Sequence, residues 1–101
     1  MQKNKPLKYK VSFEALIDIE EISYRISEHN INSAKQLIER FYEVFETVST
    51  FPFIGSAKPE FTNKNLRWMH VENYWIAYNP NSTPTEIVRI ISTYMNVNNL
   101  L

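Results

Sequence analysis

The sequence predicts a single α+β domain: one strand, an αα-hairpin, then a three-stranded antiparallel meander. Three observations predict it. Apolar residues recur at helical spacing from Ala15 to Val48 and at strand spacing after Leu66. The change of period falls at Phe51-Pro52-Phe53-Ile54-Gly55, which holds the only glycine of the chain. The length of 101 residues suits one two-layer core.

Leu7, Tyr9 and Val11 alternate with Lys8 and Lys10, the pattern of a half-buried strand. Ser12 suits an N-cap, and Glu14 in the first turn suits the helix dipole. Ala15, Ile19, Ile22 and Ile26, with Leu16 broadening the stripe, predict a helix over 13–28. His29-Asn30 ends it, with His29 read as a surface or helix-terminal residue. Asn32 or Ser33 is expected to cap a second helix. That helix buries Ala34, Leu37, Ile38, Phe41, Phe45 and Val48 and turns Lys35, Glu39, Glu43 and Glu46 outward. Two helices so closely joined form an antiparallel hairpin.

Proline cannot continue a helix, and glycine serves where φ is positive or where segments come very close. Phe51, Pro52, Ile54 and Gly55 therefore read as a structural corner, followed by a polar connection over 56–65. Leu66–Val71 and Tyr74–Asn79 flank Glu72-Asn73 as a hairpin, pairing Val71 with Tyr74, Met69 with Ile76 and Arg67 with Tyr78. The Met69, Val71, Tyr74, Ile76 and Tyr78 face is expected to meet the helices. Glu86–Thr93 is the last strand, and its apolar residues on both faces suggest a central position. Residues 95–101 form an Asn-rich tail in which Val97, Leu100 and Leu101 can pack. Residues 1–6 are read as a flexible N-terminus and 7–101 as one domain.

Composition removes several function classes. With no cysteine there are no disulfides, thiolate metal sites or cysteine nucleophiles. Two histidines, His29 and His70, give no basis for a metal site, and nothing calls for a cofactor. No apolar run is long enough to span a bilayer, and no apolar block follows the N-terminal lysines, so a cytoplasmic protein without membrane attachment is expected. Net charge is zero. Lys8, Lys10, Lys58, Lys64 and Arg67 could form a small basic patch but not the continuous stripe that nucleic acids require.

The order strand, two helices, Phe51-Pro52-x-Ile54-Gly55, Arg67 with Met69 and Val71, Tyr74-Trp75-Ile76-Ala77-Tyr78, then Glu86-Ile87-Val88-Arg89-Ile90-Ile91, resembles the RelE/ParE superfamily of type II toxins, the ParE branch in particular. The resemblance implies one mostly antiparallel sheet packed on two helices. It also implies a small toxin that binds a cellular target such as DNA gyrase and is neutralised by a cognate antitoxin. Where ParE-like toxins carry a His-Gly-x-Arg-Asp-like segment, this chain has Ser92-Thr93-Tyr94-Met95-Asn96. Cleavage of RNA on the ribosome, the RelE activity, needs proton transfer and clustered cations. Tyr94 is the one catalytic candidate there, which weighs against an RNA or ribosome partner. A ribosome-dependent endoribonuclease and a non-toxic antitoxin-binding relative stand as the alternatives.

Arg67 and Arg89 are the cations inside strand patterns. Each either holds a target group, with Tyr94 as a further target contact, or spans the sheet to the tyrosine hydroxyls of Tyr74 or Tyr78. Trp68, His70 and Trp75 share the face opposite the helices. If that face is open they form an antitoxin-binding site; if the C-terminal tail covers it, they are core.

Overall fold

A computed structural model describes residues 8–101. The elements are β1 (Tyr9–Val11), α1 (Phe13–Ser27), α2 (Ile31–Thr50), β2 (Ser56–Ala57), β3 (Arg67–Val71), β4 (Tyr74–Asn79), β5 (Thr85–Ser92) and a C-terminal 3-10 turn, Val97–Asn99. The sheet order is β1-β5-β4-β3-β2, with β1 parallel to β5 and the other pairs antiparallel. The expected α+β architecture, helical hairpin and meander are all present. The expected N-terminal segment over 1–6 and the strand's start at Leu7 lie outside the described residues.

The helices begin where side chains can take up orphan amides. Ser12 Oγ accepts from Ala15 N at 3.0 Å and donates to Val88 O at 2.8 Å, so one hydroxyl caps α1 and ties it to β5. Asn30 caps α2 through Ser33 N at 3.0 Å. The cap is thus Asn30 rather than Asn32 or Ser33, because Asn30 is the residue in extended conformation before the first turn. Ala15, Ile19, Ile22, Leu37, Phe41, Phe45 and Val48 bury against Val71, Ile76, Tyr78, Ile87 and Ile90. Leu16 does not broaden the buried stripe. It is 47% exposed on the outer face of α1.

The β3–β4 register is as expected, Arg67 opposite Tyr78 through Val71 opposite Tyr74. Glu72 takes a left-handed φ of 52° in the turn. That is the conformation for which hairpins usually recruit glycine or asparagine. Between β4 and β5 a bulge pairs Ala77 with Arg89 but Tyr78 with Ile87, leaving Val88 unopposed. The extra residue resets the alternation, so Ile87 and Ile90 both face the helices. Strand β5 lies inside the sheet, between β1 and β4.

Two features depart from expectation. The connection after the corner contains a short strand, β2, paired with β3. Gly55 has no positive φ. Its requirement is the other one, close approach: a Cβ there would lie 2.6 Å from the Tyr78 hydroxyl and 2.8 Å from the Trp68 carbonyl oxygen.

Candidate functional site

The corner is held by two side chains from the sheet. Tyr78, fully buried, donates its hydroxyl to Pro52 O at 2.7 Å and accepts from Gly55 N at 2.9 Å. Burial pushes its pKa above the ordinary 10.0, against the opposing pull of the Gly55 amide and the Arg67 charge. Arg67 Nη1 donates to Gly55 O at 2.9 Å, and the guanidinium sits 5.3 Å from the centre of the Phe53 ring. Arg67 thus reaches main-chain carbonyls of the corner rather than tyrosine hydroxyls. With the corner backbone tied inward, Phe51, Phe53 and Ile54 are exposed.

Arg89 is engaged differently. Its Nε and Nη2 donate to the two carboxylate oxygens of Asp18 at 2.8 and 3.0 Å, and Nη1 donates to Leu100 O at 3.1 Å. Asp18 also accepts from Ile90 N at 2.9 Å. Strand β1 pairs with Thr85–Ile87, and the β5 edge beyond it has no strand partner among the described residues. Ser12 and Asp18 take its place, satisfying a carbonyl and an amide that would otherwise be orphaned. Hydrogen bonding by Asp18 raises the Arg89 pKa, with burial acting in the opposite sense. Each of the three guanidinium nitrogens thus donates one hydrogen bond within the chain. Sequence reasoning passed over Asp18, yet it stands at the position between Ala15 and Ile22 where α1 is otherwise buried and apolar. An acid on the core face of a helix was the available signal.

Trp68, His70 and Trp75 do not form an open aromatic patch. Trp68 is 2% exposed, in a second core with Ala77, Ile91 and Val97, covered by Phe61, Leu66, Leu100 and Leu101. Trp75 is half-buried against Phe61 and Trp68, and Lys58 lies over its ring at 5.1 Å. Only His70 is exposed, its ring 4.8 Å from that of Trp75. The tail closes this face because a sheet with apolar residues on both sides must be covered on both sides. The fit leaves the Trp68 indole N–H without a hydrogen-bond partner among the described residues.

The exposed apolar surface lies elsewhere. Phe13, Leu16, Ile17 and Tyr24 project from α1 away from the core, with Ile31 following at the start of α2. The spacing, i, i+3, i+4 and i+11, keeps the four on one side of the helix. Tyr94 and Met95 form a second exposed pair just after β5. Beside them a cleft of about 180 Å³ is lined by Asp18, Glu21, Arg25, Tyr74, Arg89 and Met95. Among the described residues no group of acids and histidines is placed to hold a metal ion, and no helix is long and apolar enough to cross a membrane.

These features define a small α+β protein with a covered two-faced sheet and an unpartnered apolar helix surface. The family model of the ParE toxin of type II toxin-antitoxin systems, parDE, matches residues 9–97. The chain belongs to the ParE toxin family. Its fold is similar to a structure described as the chromosomal ParDE TA system from P. aeruginosa, with a TM-score of 0.68 at 15% identity, over 83% of this chain and 92% of that one. No curated protein matches the sequence.

Proposed function

We propose that this chain is the toxin of a toxin-antitoxin pair, acting by binding a cytoplasmic target such as DNA gyrase and neutralised by an antitoxin that docks on α1. Family membership supports the toxin reading, and the outer row of α1 carries the antitoxin reading. Phe13, Ile17 and Tyr24, with exposures of 72%, 40% and 69%, are anchors of the kind an amphipathic helix engages. Target contact falls to the exposed turn of Tyr94 and Met95, with Arg89 holding the tail beside it. The non-enzymatic reading is supported by the engagement of Arg89 with Asp18 and by the exposure of Tyr94, 84%, in a turn with no cation bonded to it among the described residues.

Co-expression with the small open reading frame beside the gene should give a stable complex. Ile17→Ser with Tyr24→Ser should leave the melting curve almost unchanged, because both side chains are exposed. The same double change should weaken the complex by at least about tenfold. Purified toxin should inhibit gyrase supercoiling, with relief by the antitoxin, and should leave ribosome-bound messenger RNA uncut in primer-extension assays. Codon-specific cuts lost in Tyr94→Phe would reject the non-enzymatic reading.

A further inference from the structure

Phe53 and Ile54 project to solvent beside β2, whose two residues are both exposed at one edge of the sheet. A groove of about 310 Å³ follows this edge, lined by Phe53, Asn65, Leu66, Arg67, Pro80 and Asn81 along with Ala57. No carboxylate lines it.

Arg67 is the cation of this groove, and it lacks a counter-charge. Lys8, Arg40 and Arg89 each have a carboxylate oxygen within 3.2 Å, whereas Arg67 has none among the described residues. Its Nη1 is used on corner carbonyls, but Nε and Nη2 have no partner among the described residues. A half-buried guanidinium beside an aromatic ring has lost hydration that no anion replaces. Two free donors in a planar fork match one carboxylate. An exposed sheet edge, in turn, offers backbone groups to an added strand, whose side chains alternate in direction.

We propose that the β2 edge binds an extended acidic segment of a protein partner, with a carboxylate on Arg67 and apolar side chains on Phe53 and Ile54. A second copy of this chain does not fit: pairing through its own β2 would bring another Arg67, not a carboxylate. The surface is built from other elements than α1, so the proposal is independent of the antitoxin docking argued above.

The test is a titration of the isotope-labelled full chain with an acetylated, amidated heptapeptide alternating valine and glutamate, followed by amide chemical shifts. Shifts should concentrate at Phe53–Lys58 and Leu66–Trp68. Arg67→Gln should weaken binding by about tenfold or more, as loss of a charge-assisted hydrogen bond does. On the unaltered protein, a peptide with lysine for glutamate and one N-methylated at alternate backbone nitrogens should both bind several-fold more weakly. These two peptides keep the test decisive even if Arg67→Gln loosens the corner. No shifts at millimolar peptide, shifts centred on other elements, or equal binding of either control peptide would overturn the proposal.

Discussion

Gly55 and Tyr78 show how one contact constrains two positions. The glycine is required by the oxygen atoms facing it, not by its dihedral angles, and one of those oxygens is the Trp68 main-chain carbonyl, which cannot turn aside. Gly55→Ala should therefore destabilise the fold by about 1–3 kcal/mol in urea denaturation. Tyr78→Phe keeps the ring but strands the Gly55 amide and the Pro52 carbonyl, at a cost of roughly 1–3 kcal/mol. Because the folded chain holds the Tyr78 proton more tightly than the unfolded chain, this contribution to stability is intact below the ordinary 10.0. It declines as pH rises through the raised value. Tyr78→Phe should accordingly flatten the alkaline limb of the stability-pH curve. Asp18 is constrained just as tightly, with its side chain 9% exposed and that of Arg89 22% exposed. Asp18→Asn leaves the guanidinium without its counter-charge and should cost about 3 kcal/mol. Loss of either surface pair, Lys8–Glu46 or Arg40–Glu72, all four side chains at least half exposed, should change the melt by less than about 1 kcal/mol.

At the scale of elements, what the sequence reveals follows the length of each periodic signal. The two helices and the β3–β4 register were legible because many residues vote for one period, and a slip of one residue would turn Trp68 toward the helices and Val71 away from them. Strand β2 was not legible, since two residues carry no period. The bulge opposite Ala77 and Tyr78 was hidden as well. Strict alternation puts Ile87 and Ile90 on opposite faces, and only the pairing with β4 shows that they share one. The outer row of α1 hid behind the core stripe of the same helix: Leu16 was counted with the buried residues although it belongs to the other side. Whether the aromatic face is open or covered is not decided by the sequence, because the three asparagines among the seven tail residues break any period that would show Val97, Leu100 and Leu101 acting together. A truncation after Tyr94 tests this cover directly. Removing the tail uncovers Trp68, Ala77 and Ile91, three residues at most 2% exposed. The truncated protein should melt lower and bind an apolar dye that the full chain does not, and refilling the face with a longer apolar tail should restore the melt.

At the scale of the molecule, the fold separates its surfaces. The outer row of α1, the β2 edge and the Tyr94 turn belong to different elements, so a protein occupying one need not cover the others. Variants at Ile17, Ile54 and Tyr94, all exposed, should therefore combine additively in melting experiments, while each affects a different binding assay. The position of β5 has a further consequence, in the order of synthesis. Among the described residues, strand β5 is the last strand in sequence and joins β1 to the β4-β3-β2 portion of the sheet. Before it emerges from the ribosome, β1 has no β5 to pair with, and the helical hairpin lacks Ile87 and Ile90 from its facing layer. Asp18 has no Arg89, and Ser12 has no β5 carbonyl to receive its hydroxyl. The nascent chain thus displays both sides of α1 while β5 is still being made. A partner that recognises the outer side has its landing site in place before the rest of the protein has set, so capture can begin during translation.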